Sequence, residues 1–377
     1  MKKNLFIALF LIFTLSGCQS YFGPTALQNT HSAYNQAISV TLDEQMLLNL
    51  VRMKYRDRPF FLKVGSVTAS MTFGGTLGMN TELDLSPEGN IIKPHFGFSY
   101  ADKPTISYTP LQGEDFLKSV MSSIPLQAIL VMTQSGWSVE RIFGMCVERM
   151  NELYNAPRAS GPTPDAEPEF RKFKRMLELF RELQLHGGME IGPDLNLNSK
   201  APDLVILFRS TKINQDIVDE ISNLLTNSSD TMPNPEIQKS AHKDTHKVRI
   251  NNDFVNARPG ELNIRTRSIA SVMYYLSQNV TIPEEHINAG LVTITKTLDK
   301  RAVFDWGETP AGAVFRVNVS EEYPENAFIA TPYRDYWFYI TDNDLQTKST
   351  FMLLGQLFDL QAGQTKFSGP TLTLPVR

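Results

Sequence analysis

Val64-Gly65-Ser66-Val67-Thr68-Ala69-Ser70-Met71-Thr72-Phe73-Gly74-Gly75 alternates apolar and small polar residues, the period of a strand with one buried face. Leu77, Met79, Leu83 and Leu85 continue the alternation against Gly78, Asn80, Glu82 and Asp84, so the glycine pair predicts a hairpin turn. A second hairpin is predicted from Phe96, Phe98 and Tyr100, with Pro104 in the turn region and Ile106 and Tyr108 returning. Outward from this meander the period becomes helical. Upstream, Pro24, Leu27, Tyr34 and Ile38 suggest one helix. Thr41-Leu42-Asp43-Glu44 is a capping box that opens another, with Met46, Leu47, Leu50 and Val51 as its stripe and Arg58-Pro59 as its end. Downstream, Pro125 to Gln134 stops at Gly136, and Ser138 caps a helix carrying Val139, Ile142, Phe143, Cys146, Met150 and Leu153.

Pro157, Pro162, Pro164 and Pro168 crowd a stretch without apolar periodicity, which predicts a linker over 156–168 between a domain at 24–155 and one at 169–377. In the second half, Phe170, Phe173, Leu177 and Phe180 mark a helix closed by Gly187-Gly188. Leu204 to Phe208 reads as a buried strand, and Ile217, Ile221 and Leu224 as the helix after it. Residues 226–246 are polar and predict a mobile loop. Strand-then-helix recurs at Leu262 to Gln278 and Tyr336 to Ala362, and Thr371 to Val376 closes as a strand. The expected class is α+β: N-terminal helices plus an antiparallel meander, followed by a mixed strand and helix half.

The first residues carry a different kind of information. Lys2 and Lys3 precede an apolar run from Leu5 to Leu15, too short for the about 20 residues that span a bilayer as a helix, and Leu15-Ser16-Gly17-Cys18 follows. This layout resembles bacterial lipoprotein precursors. The resemblance implies that residues 1–17 are a signal peptide and that Cys18 carries a thioether-linked diacylglycerol and an N-acyl chain such as palmitate. Gln19 in place of Asp implies the outer membrane, with the body in the periplasm. Residues 18–23 form a lipidated tether reaching on the order of 17 Å, which holds the body near the bilayer. Loss of Lys2 and Lys3 takes the formal charge from −4 to −6, so no basic excess points to nucleic acid. Cys146 is then the one thiol left, and packing rather than disulfides must hold the fold. Pro104-Thr105-Ile106-Ser107-Tyr108-Thr109-Pro110-Leu111-Gln112-Gly113, Ile264 to Ile269, Trp337 to Leu345 and Leu372 to Pro375 together resemble an uncharacterised family of bacterial lipoproteins. That resemblance implies a shared fold and no activity.

The zincin, nucleophile-elbow, Walker and dinucleotide motifs are absent, and no metal or cofactor is expected. His242 and His246 are four apart but sit beside Lys243 and Lys247, whose charges oppose a cation. Asp342-Asn343-Asp344 lacks the glycine and glutamate of a calcium loop and reads as a helix cap. The place of Cys146 in an apolar stripe predicts a buried, inert thiol. Arg171, Lys172, Lys174 and Arg175 read as a solvated face paired with nearby glutamates. Two constellations have a functional reading beside a plain one. Arg265, Thr266, Arg267 and Ser268 stand before a predicted helix and would hold an anion, or else form an internal ion pair and a cap. Tyr333, Tyr336, Trp337 and Tyr339 would stack on glycan rings, or else form a buried strand.

The expectation is a non-enzymatic scaffold or envelope-assembly lipoprotein, held to the membrane through its N-terminal lipid and bound to an envelope protein partner. Two alternatives stay open: a subunit of an oligomeric outer-membrane pore or secretion complex, and a cell-wall glycan binder or enzyme. The meander strands are long enough to cross an outer membrane, but apolar helix faces from Phe116 to Leu153 are available to cover them as an ordinary sheet.

Overall fold

The computed structural model describes residues 22–82, 91–162, 164–194, 203–209, 215–226, 238–239, 245–254, 260–362 and 372–375. Residues 1–21 are outside this set, so the signal peptide, Cys18 and most of the tether lie outside the described residues. The fold is α+β. Two compact units divide it: Met1–Pro59 with Gly113–Thr365, and Phe60–Gln112 with Lys366–Arg377. The stretch 156–168, expected as an interdomain linker, lies within the first unit. There Ala156 and Ala159 are buried, Pro157–Ser160 forms a 3-10 turn, and the Ala156 N–H donates to the Glu169 carbonyl at 2.8 Å. Proline density marked a turn packed into the core.

Helix α1 runs unbroken over Phe22–Lys54. Two helices were expected, split by a capping box at Thr41. Instead the Thr41 hydroxyl donates back to the Ala37 carbonyl at 2.8 Å, the bond a threonine makes inside a helix. Met46, Leu47, Leu50, Val51 and Met53 bury its C-terminal turns.

The second unit is built on β1 (Phe61–Glu82) and β2 (Ile91–Leu111), which pair antiparallel along their whole length with one irregularity between Val64 and Ser66. This is one long hairpin, where two short ones were expected. Gly74 and Gly75 are not a turn but pair with Ser99 and Phe98, and Pro104 pairs with Ala69. Strand phase explains the correction. A two-residue turn at Gly74-Gly75 would set Phe73 opposite Thr76 and Met71 opposite Gly78, apolar against polar. The observed register sets Phe73 opposite Tyr100, Leu77 opposite Phe96 and Val67 opposite Ile106.

In the first unit come α2 (Glu114–Met121), α3 (Leu126–Gln134) and α4 (Val139–Cys146). Ser138 caps α4 by accepting the Arg141 N–H at 3.1 Å. The helix was expected to reach Leu153, but Val147 turns extended and the chain enters β3 (Val147–Met150) and β4 (Leu153–Tyr154). Met150 and Leu153 are buried all the same, so the apolar spacing survives a change of backbone. Helix α5 (Arg171–Leu185) follows, then β5 (Met189–Asp194), β6 (Asp203–Arg209), α6 (Gln215–Thr226), β7 (Gln238–Lys239), β8 (Thr245–Asn251) and β9 (Glu261–Thr266). These strands form a mixed sheet in the order β4-β3-β9-β8-β6-β5, with β7 beside β8 and only β8–β9 parallel. One sheet face carries Ile206, Val248, Leu262 and Ile264, all buried, and Phe180 of α5 meets Phe208 of β6 and Phe143 of α4 at 6.4 Å each. Most of the loop expected over 226–246 lies outside the described residues.

Helices α7 (Ile269–Ser277) and α8 (Glu284–Asn288) lead to a small antiparallel sheet of β10 (Asn318–Ser320), β11 (Ala327–Tyr333) and β12 (Tyr336–Thr341), in the order β10-β12-β11. Asp344 then starts α9 (Leu345–Ala362), accepting the Thr347 N–H at 3.0 Å, the cap expected of that acidic run. Phe116 of α2 packs edge-on against Phe358 of α9. Finally β13 (Leu372–Pro375) pairs with β2 in the second unit, from Leu372 opposite Tyr108 to Pro375 opposite Thr105.

Candidate functional site

The four residues expected to bind an anion straddle the end of strand β9, Arg265 and Thr266 inside it and Arg267 and Ser268 just past it, and the two arginines part company there. Arg267 is 1% exposed, whereas Arg265 lies on the exposed face. All five guanidinium hydrogens of Arg267 are engaged: Nε with Ser160 Oγ at 3.1 Å, Nη1 with the carbonyls of Val147 at 2.7 Å and Met145 at 3.4 Å, and Nη2 with the carbonyls of Asn155 and of Ala156, the latter at 3.2 Å. Its guanidinium lies 4.2 Å over the Tyr275 ring, and burial lowers its pKa. In place of the internal ion pair of the plain reading, the partners among the described residues are backbone carbonyls and one hydroxyl. A carboxylate acts through Ser160, whose hydroxyl donates to Glu148 Oε2 at 2.7 Å. Ser268 caps α7 by accepting the Ser271 N–H at 3.1 Å, and Thr266 donates to the Ile124 carbonyl at 2.7 Å. The cage is completed by Asn155, which donates to the carbonyls of Gly144 and Val147. Sequence reading missed Asn155 and Tyr275, since nothing local marks either as a partner of Arg267.

The residue that stands beside Arg265 is Arg149, its register partner on β3. The Arg149 guanidinium lies 4.1 Å and that of Arg265 5.1 Å from the Phe254 ring centre. Among the described residues neither forms an ion pair. Stacking on one aromatic ring keeps the two charges in place.

The aromatic run is likewise divided between two faces. Arg334 and Asp335 take positive φ values of 48° and 67°, the two-residue hairpin turn that matches strand twist, and Tyr333 pairs with Tyr336 across it. Tyr333, Tyr336 and Phe338 share one face. The Tyr336 ring is 5.2 Å from His286, the Tyr333 ring is 5.2 Å from Tyr55, and the Tyr55 hydroxyl lies 2.7 Å from His286 Nδ1. Asp57 accepts from the Tyr333 hydroxyl and from Arg334 Nη2, the latter at 3.0 Å, and the tyrosine bond holds its carboxyl below the usual range. Trp337 and Tyr339 alternate to the other face, where Trp337 meets Tyr323 edge-on at 4.9 Å. Four rings on two faces do not make one glycan platform. What the first face does is clamp the end of α1 to the β11–β12 turn.

Other reactive groups are similarly enclosed. Cys146 is fully buried and burial pushes its thiol up to about 12. The Lys54 amine, lowered to about 8 by burial, donates to the carbonyl and to the side-chain oxygen of Gln278, both at 3.3 Å. Arg175 pairs with Glu178 and Glu220, as expected of a solvated helix face. His246 sits in β8 opposite Phe208, while His242 lies outside the described residues. Among the described residues no group of three or more His, Cys, Asp or Glu is placed to hold a metal, and no helix is long and apolar enough to cross a membrane.

The second unit is a sheet with long strand edges. Its order is β1-β2-β13, and β13 reaches only Thr105–Tyr108 of β2. Among the described residues no strand pairs with residues 91–104 of β2 apart from β1, or with residues 66–82 of β1 apart from β2. No family model, curated protein or solved structure matches this chain.

Proposed function

We propose that this chain is a lipid-anchored scaffold of the bacterial envelope, tethered to the outer membrane through Cys18, that assembles partners and transforms no substrate. The observation that supports this reading is the division of labour between the two units. In the first, the conspicuous polar groups act on the chain itself: Arg267 on carbonyls, Asp57 on Tyr333 and Arg334, Lys54 on Gln278. In the second, long stretches of strand edge carry no partner among the described residues, the kind of surface to which another chain adds a strand.

The test is to express the full precursor and its Cys18→Ser variant with a palmitate analogue, then extract the membranes in mild detergent. Label on the wild type alone, in outer-membrane fractions and in a particle heavier than one chain, is the expected result. Equal labelling of both proteins removes the anchor, and a labelled monomer removes the scaffold.

A further inference from the structure

We infer that the β1–β2 hairpin crosses a lipid bilayer as one part of a barrel built by several copies of this chain, β1 of each copy lying beside β2 of the next. This inference rests on the envelope placement proposed above and names the partner as a second copy. Three observations carry it.

The first is charge along the ladder. Every rung from Thr72–Ala101 to Met79–Pro94 is free of Asp, Glu, Lys and Arg, and charges bound this window on both sides, Asp102 and Lys103 at one end, Lys93 and Glu82 at the other. Including the bordering rungs, the window matches the about 9–11 residues that a tilted strand uses to cross an outer membrane. The second is phase. In the window one phase holds Phe73, Leu77 and Met79 with Phe96, Phe98 and Tyr100, and the other holds Thr72, Thr76, Gly78, Ser99 and Gly97, the apolar and small-polar alternation of a barrel wall between lipid and lumen. The third is the edge. An isolated two-stranded ribbon is marginal in water, and β13 supports only its base. Residues 95–103 of β2, between Pro94 and Pro104, keep every backbone N–H. Adding β1 of the next copy there continues the antiparallel alternation, and repeating that head-to-tail contact closes a ring with no edge left.

Single cysteines at Phe73, Leu77 and Met79, and at Thr72, Thr76 and Asn80, test this in the full lipidated chain. The protein is reconstituted in vesicles of phosphatidylethanolamine and phosphatidylglycerol and labelled with an environment-sensitive fluorophore. Buried Cys146 stays unlabelled in the native protein. Nitroxide on the lipid chains should quench the first set and aqueous iodide the second, with the reconstituted particle several chains in mass. Iodide reaching both sets equally, or a single-chain particle, overturns the inference. Equal iodide quenching with a heavy, palmitate-labelled particle leaves the scaffold standing, whereas loss of the Cys18 label removes the envelope placement itself.

Discussion

Asn155 accepts the hydroxyl hydrogen of Tyr275 at 2.9 Å while its own amide donates to the carbonyls of Gly144 at 2.9 Å and Val147 at 2.7 Å. Asn263 is equally buried, yet its side-chain nitrogen and oxygen have no partner among the described residues, while its backbone is served on both sides by Asn151, the N–H donating to Oδ1 at 2.9 Å and the carbonyl accepting the Asn151 N–H at 2.8 Å. Replacing each by leucine should therefore separate them. Asn155→Leu strips a bond from the Tyr275 hydroxyl and from the Gly144 carbonyl, while the Val147 carbonyl keeps Arg267, and should cost about 3 kcal/mol; Asn263→Leu removes an unsatisfied amide and should be neutral or stabilising by about 1 kcal/mol. Urea midpoints of the two variants decide it, and equal losses would refute the assignment of Asn155 as the centre of the Arg267 cage.

Stability at alkaline pH should carry two opposing slopes. The native Cys146 thiol holds its proton to about 12 against an ordinary value of 9.0, so between these the unfolded chain loses a proton that the native one keeps, and stability falls as pH rises. Lys54 is the reverse. Its native value of about 8 lies below 10.5, so across that interval the unfolded chain binds the extra proton and stability rises with pH. Urea unfolding from pH 8 to 11 should show Lys54→Met losing the rise and Cys146→Ala losing the fall. Unchanged slopes in both variants would mean that neither group is sequestered.

The turn at Arg334 and Asp335 places two non-glycine residues in the left-handed region. Asp335→Gly should raise stability by about 0.5–1 kcal/mol through relief of that strain. Arg334→Gly should gain less, because it also removes the ion pair with Asp57 and the cation over Tyr55, 5.0 Å from its ring centre. Thermal midpoints rank the two, and a larger gain for Arg334→Gly would show that the clamp on α1 contributes nothing.

Local signals in the sequence were read well where one residue answers a near neighbour. Ser138, Ser268 and Asp344 cap the helices expected of them, and the strand at Leu204 to Phe208 sits inside the main sheet. Two misreadings came from giving local chemistry more weight than phase. The capping box at Thr41 yields to a helix that continues through it, and Gly74-Gly75 runs on as strand because the apolar positions on either side keep one parity. The polar clusters were not legible, because their members are joined only by the fold. Arg267 meets carbonyls over 110 positions away, and Asp57 meets Tyr333, 276 positions on. Arg265 and Arg267 look like a pair because they are close in sequence, but Arg265 is exposed near the end of β9 while Arg267, just past it, is buried among carbonyls.

The pairing of β13 with β2 also sets a timetable. Leu372 lies 264 positions beyond its partner Tyr108 (372 less 108), so the whole first unit except α1 is synthesised between the two strands. At about 5–20 residues per second, that interval is on the order of tens of seconds. Throughout it the hairpin lacks its third strand and its hydrogen-bonding edges are open to any extended chain nearby. The same edges that await the correct neighbour make premature pairing the chief hazard of this connectivity.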